Sequence, residues 1–195
     1  MSLFSIRLRP SQVFLLWIFA NFLGGWLVSF LENNGLQFAA TLFLTGSVIG
    51  VLQWAVLRQA GSRFRWWPLA SAAGWILGVV LWALSQALPI PTVDFFWPRL
   101  SVGESFWISL TWVIWIFGMA IAQTLVLGRQ SHSRGIWLVA SLIGGSLQAV
   151  VERSLCASAC QVLPLALVGI VHGFGWAVYG AVTGLALLKV RTRLV

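Results

Sequence analysis

Few side chains in this sequence could do chemistry, and they fall into three groups. Gln53, Gln123 and Thr183 each stand five or six residues before a basic or polar helix end. At 1.5 Å per residue they share a depth of roughly 8–9 Å. Asn21, Ser71 and Ser141 each follow a Trp by four residues (Trp17, Trp67 and Trp137) and fall in the same layer. Such a polar layer can line a pocket or permeation path open to the cytoplasm. It can equally be a set of interhelical hydrogen bonds, worth about 0.6 kcal/mol per pair on average in membranes.

His172 stands in the second group, in "GIVHGFGWAVYG", beside a stripe of Gly169, Gly173, Trp176 and Gly180. An imidazole in a small-residue pocket can ligate a haem or chlorophyll, or it can simply donate to a neighbouring carbonyl or Gln. Ionisable groups inside a membrane are functional suspects, yet no carboxylate or second His stands near it in sequence as a partner. Glu32 and Glu152, each fifteen residues past its Trp, read as the water boundary at matched helix ends, with Arg153 as a weak surface partner of Glu152.

The third group is Cys156 and Cys160 in "CASAC". On a helix their Cα atoms are about 6 Å apart, within disulfide range, and an oxidising compartment would close the bond. Free thiols fit as well. A metal site is not expected, because no further Cys or His follows nearby to complete a ligand set. Nor is catalysis: G-x-S-x-G, H-E-x-x-H and P-loop patterns are absent, as is an acidic pair inside a span. His132, in "GRQSHSRG", reads as a solvated loop residue.

The elements that position these groups follow from composition. The chain has 195 residues, 59% of them apolar and 8% charged. A soluble domain carries about 25% charged residues. Six apolar runs, near 13–31, 37–57, 67–88, 106–127, 135–151 and 163–188, have lengths suited to a hydrocarbon core of roughly 30 Å. The expected fold is all-α: a polytopic bundle of six transmembrane helices in one transmembrane domain, 1–195. The first run is too long for a signal-peptide core and no cleavage site follows it.

Charge sets the orientation. Arg7, Arg9, Arg58, Arg63, Arg65, Arg129, Arg134, Lys189, Arg191 and Arg193 fall on one side, ten of the twelve basic residues. Arg99 and Arg153 fall on the other, with Glu32, Asp94, Glu104 and Glu152. Basic loops stay cytoplasmic, so both termini are expected inside. The net charge of +8 is therefore a topology signal, and nucleic acid is not an expected partner.

The chain also repeats itself. With an offset of 70, positions 53–74 match 123–144 at Gln53/Gln123, Val56/Val126, Leu57/Leu127, Trp67/Trp137, Ala70/Ala140, Ser71/Ser141 and Gly74/Gly144. Trp17, Ala20, Asn21 and Gly24 form a third copy of the Trp–Ala–polar–Gly stripe, and Thr183 stands where Gln53 does in a weaker alignment of the last span. The expectation is three parallel αα-hairpin repeats, approximately 13–58, 67–128 and 135–189, about an axis along the membrane normal.

Within each stripe the small residues share a helical face. Ala20 with Gly24, Ala70 with Gly74, and Ala140 with Gly144 are small-xxx-small pairs that admit a neighbouring backbone. Gly46 with Gly50, Gly169 with Gly173, and Gly180 with Gly184 do the same. Trp67 and Trp137 follow basic loops and are expected to anchor at the headgroups. Phe95, Phe96 and Trp97, in the 88–105 connection, read as outer-interface anchors, and residues 2–12 as a segment lying on the cytoplasmic surface.

"LQWAVLR" (52–58) followed by "WWPLASAAGWILG" (66–78) resembles a segment recurring in small, uncharacterised multi-span membrane proteins, mainly of cyanobacteria, of the form Q-W-x-V-L-R … W-x-x-A-S-x-x-G-W. The resemblance covers about two spans. It implies a bacterial plasma or thylakoid membrane and carries no activity with it. The second copy departs from the form at Thr124, Gly128 and Gly145.

The functional expectation is a non-enzymatic, multi-pass membrane protein acting as an accessory or scaffold component of a membrane assembly. Its expected partners are the lipid bilayer and other membrane subunits or pigment, with the cofactor unknown. The alternative is a small transporter or channel using the polar layer near the cytoplasmic leaflet.

Overall fold

The structure is a computed structural model that describes residues 8–60, 64–87, 103–127 and 131–191. Among them are six long helices: α1 (Pro10–Leu31), α2 (Ala40–Gln59), α3 (Trp67–Ala87), α4 (Gly103–Val126), α5 (Ser131–Ala159) and α6 (Leu165–Arg191). Five are long and apolar enough to cross a membrane; in α4 the described apolar stretch is Val113–Val126. The described residues thus form an all-helical bundle with the helix lengths and apolarity of a membrane protein. The aromatic connection at 88–102, with Phe95, Phe96 and Trp97, lies outside the described residues, as does 1–7.

Local chemistry sets the helix ends. Pro10 opens α1 where its missing N–H costs nothing, and Gln12 Oε1 accepts from the Arg9 backbone N–H at 2.8 Å. The chain reverses at Asn34 and Gly35. Gly35 has φ 106°, a conformation that strains any residue with a Cβ, and Asn34 Nδ2 donates to the Phe30 carbonyl at 2.7 Å. The first turn of α2, Ala40–Leu44, is wound wide, with the Thr45 N–H reaching back five residues to Ala40 O. Widening frees the Thr41 carbonyl, which accepts from Thr45 Oγ1 at 3.0 Å and from the Trp75 indole at 2.8 Å.

α5 is longer than the sequence indicated. Reading Glu152 and Arg153 as a water boundary ended that span at 151, but the helix continues to Ala159. Glu152 is buried and hydrogen-bonded, so it does not need water at that point.

Each helix packs on its neighbours in the chain, and α6 returns against α1 in the most extensive contact, closing a ring of six. Small residues set the distances. A Cβ on Gly74 would lie 2.6 Å from the Gly118 carbonyl and 2.7 Å from Met119 Cα, so α3 and α4 meet backbone to backbone. Gly24 faces Ile49 of α2, and Gly144 faces Tyr179 and Val182 of α6. Gly169, Gly173, Gly180 and Gly184 present one stripe of α6 to Trp26, Phe22, Asn21 and Phe14 of α1. Ala20 is buried, while Ala70 and Ala140 are half-buried. The glycines of these stripes therefore sit at helix contacts, where van der Waals packing drives association in lipid.

Gly118→Ala should destabilise the bundle by about 1–3 kcal/mol, the usual cost of overpacking, because its new methyl would meet the immovable backbone of Gly74 and Gly78. Gly135→Ala meets nothing within 4 Å and should be neutral or gain up to about 1 kcal/mol of helix propensity. Thermal unfolding in detergent checks the pair; equal midpoints would contradict the assigned contact.

Candidate functional site: a tryptophan–amide layer and a second polar cluster

Trp17, Trp67 and Trp137 are fully buried and pack on one another edge to face. Their ring centroids are 6.1 Å apart for Trp17 and Trp67, 6.0 Å for Trp17 and Trp137, and 5.2 Å for Trp67 and Trp137. This corrects the headgroup placement of Trp67 and Trp137. An amphipathic indole suits an interface or a core that supplies an acceptor, and here the core supplies one. The exposed ring is the adjacent Trp66, 55% accessible, with Arg65 stacked over it at 5.1 Å.

Each inward indole donates to a polar side chain of the preceding helix around the ring. Trp67 Nε1 reaches Gln53 Oε1 at 2.9 Å, Trp137 Nε1 reaches Gln123 Oε1 at 3.1 Å, and Trp17 Nε1 reaches Thr183 Oγ1 at 3.0 Å. An indole nitrogen can only donate, so these contacts fix both Gln carboxamides oxygen-first. Their nitrogens then point onward. Gln53 Nε2 donates to Asn21 Oδ1 at 2.9 Å, and Gln123 Nε2 donates to Ser71 Oγ at 2.8 Å and to Gln53 Oε1 at 3.2 Å. Asn21 and Ser71 return their own donors to the carbonyls of Trp17 and Trp67, one turn back.

The third member differs. Thr183 is too short both to accept from Trp17 and to reach across to Ser141. Tyr179, one turn away on α6 and fully buried, directs its hydroxyl to Ser141 Oγ at 3.5 Å. The sequence reading missed Tyr179; its one signal was being the only Tyr of the chain, four residues before Thr183. The fold thus brings Asn21, Gln53, Ser71, Gln123, Ser141 and Thr183 into a single buried layer, every one of them fully enclosed.

A second cluster lies eleven residues further along α5 from Ser141, about 16 Å at the helical rise. His172 Nδ1 and Glu152 Oε1 are 2.8 Å apart, which corrects the expectation that this histidine lacks a carboxylate. The two residues are on successive antiparallel helices, so the pairing is invisible to sequence spacing. Glu152 is only 8% exposed, which also corrects its placement at a water boundary with Arg153 as partner. Gln148 Nε2 holds its other oxygen at 2.8 Å. Gly175 makes the room: a Cβ there would come within 3.0 Å of Glu152 Oε2. A carboxylate accepts from the Gln148 nitrogen, which leaves Gln148 Oε1 buried without a partner among the described residues.

Cys156 and Cys160 are joined in a disulfide across one turn at the end of α5, with Cα atoms 4.5 Å apart. A ring nitrogen of His172 and the two sulfurs all lie within 4.8 Å of one another. His172, on the next helix, thus stands beside the two sulfurs, a neighbour that spacing within α5 does not reveal.

No family model, curated protein or solved structure matches the chain.

Gln123→Leu removes the acceptor of the buried Trp137 indole and should cost about 1–3 kcal/mol, the desolvation penalty of an orphaned donor. Thr183→Val should cost a similar amount by stranding Trp17, whereas Thr183→Ser keeps the oxygen and should cost clearly less. Denaturant or thermal unfolding in detergent measures all three; equal losses for the Val and Ser variants would remove the Trp17–Thr183 bond from the energetics.

Proposed function

We propose that this chain is a non-enzymatic scaffold or accessory subunit of a membrane assembly, built from three parallel αα-hairpins about a membrane-normal axis. The observation that carries the reading is the closed central layer. Its Trp indoles and its Gln, Asn, Ser and Thr side chains are engaged with one another, and three rings fill the place where a path would have to pass.

The hairpin reading draws support from the recurrence of those bonds. Trp67 and Trp137 each bond a Gln fourteen residues earlier, and Trp17 takes the equivalent partner on the last helix. Hairpins 13–58, 67–128 and 135–189 then each hold one stripe Trp and one polar acceptor, with each Trp bonded to the acceptor of the hairpin before it. The skew of basic residues supports placing both termini in the cytoplasm. Resemblance to the cyanobacterial segment supports a plasma or thylakoid membrane. A ring whose described centre is packed with three indoles and their hydrogen-bonded partners serves best as a rigid body whose outer helices contact lipid and other subunits.

Two measurements test this together. Solubilised gently from its native membrane, the chain should travel with another membrane protein or with pigment, read by mass spectrometry and absorption of the same fraction. In proteoliposomes it should conduct neither protons, potassium nor chloride above empty vesicles. Lone colourless monomers would defeat the scaffold reading. Flux abolished by Gln53→Leu with Gln123→Leu would establish the transporter instead.

A further inference from the structure

We propose that Cys156, Cys160 and His172 form a redox-gated binding site for a thiophilic d10 cation, Zn²⁺ or Cu⁺, which the disulfide keeps closed. The juxtaposition comes from two helices. The sulfurs project from one turn of α5, and the imidazole arrives from α6, placing two sulfurs and a ring nitrogen within 4.8 Å of one another. Ligands of a bound zinc or copper sit about 2.0–2.3 Å from the metal, so once the S–S bond is broken the two sulfurs must separate and the imidazole must close on them for the ion to be held by all three.

The imidazole is held by a carboxylate, as metal-bound histidines usually are. Gln148 Nε2 holds Glu152 Oε2, and Glu152 Oε1 holds His172 Nδ1, both at 2.8 Å. A carboxylate on one ring nitrogen fixes the tautomer and makes the other nitrogen a better donor, the usual support for a metal-bound His. Gly175 leaves the space that lets Glu152 take this position. Two thiolates and one imidazole form a soft set: trigonal for Cu⁺, or tetrahedral for Zn²⁺ with water as fourth ligand.

A stabilising role explains the disulfide poorly. It closes a loop of four residues that the helix already holds, with the Cys160 N–H still bonded to the Cys156 carbonyl at 3.2 Å, and so short a loop removes little entropy from the unfolded chain. Access is available. Both cysteines are half-buried, and α5, at 29 residues, is about 43 Å long against a core of roughly 30 Å.

The opening step balances with an external dithiol as reductant. It delivers two electrons and two protons to the Sγ–Sγ bond, which breaks to give two thiols, and the reductant leaves as its cyclic disulfide. Metal binding then releases the two thiol protons to water.

The test uses the full chain in detergent, either as isolated or reduced with dithiothreitol and desalted without oxygen, with thiols counted by alkylation and mass. Each form is equilibrated with Zn²⁺ or with Cu⁺, freed of unbound ion, and assayed for metal per chain. The expected result is one ion on the reduced protein and none on the oxidised protein, with the preferred ion identifying the coordination. His172→Gln, which leaves the disulfide intact, should abolish stoichiometric binding after reduction. Glu152→Gln should weaken it about 10–100-fold. The proposal is overturned by a bond that resists dithiothreitol in the folded protein, by reduced protein that retains no metal, or by metal retained in full by Cys156→Ser with Cys160→Ser.

Discussion

A polar group in hydrocarbon has no water to fall back on, and must find its partner within the protein. Three indole N–H groups carry that constraint to the middle of this molecule. Trp17, Trp67 and Trp137 meet at the centre of the ring, where the edge-to-face contacts of large rings add about 0.5–1.5 kcal/mol per pair to simple packing. Meeting there is possible only because Gln53, Gln123 and Thr183 present oxygens at the same depth. Rotating a helix by one residue would both orphan a donor and pull a ring out of the cluster. The layer is therefore a register lock as much as a source of stability.

Close backbone approach is what brings the oxygens within reach. Gly50 and Gly46 let Ser71 and Trp75 lie against α2, while Gly74, Gly78 and Gly118 do the same between α3 and α4. Between α1 and α6 the contact is of another kind: glycines of α6 receive Phe14, Phe22 and Trp26 of α1. Both devices exchange side-chain volume for contact area. Lipid exerts no hydrophobic pressure that would force helices together without them.

The two polar clusters obey the same rule to different degrees. In the tryptophan layer donors and acceptors are matched, down to Tyr179 covering the reach that Thr183 lacks. Around Glu152 they are not: Gln148 Oε1 is buried and unpaired among the described residues, and the His172 pair ends against two sulfurs. Matched networks hold shape.

The sequence alone determined the class, the number of helices and most of their limits, because apolar run length and a fixed helical rise are local quantities. It also placed Gln53, Gln123, Thr183, Asn21, Ser71 and Ser141 in one layer, which is arithmetic along a rod, and pointed to the glycines that lie at contacts. Tertiary structure decided the direction and partner of each polar group. Whether an indole faces the headgroups or the axis depends on an acceptor carried by another helix, so Trp67 and Trp137 could not be placed from their own neighbours. Glu152 looked like a helix end because its acid charge argues for water, until His172 and Gln148 supplied what water would have. The sulfurs and the imidazole are brought together by the antiparallel return of α6 along α5, a relation between rods that no spacing within either one contains.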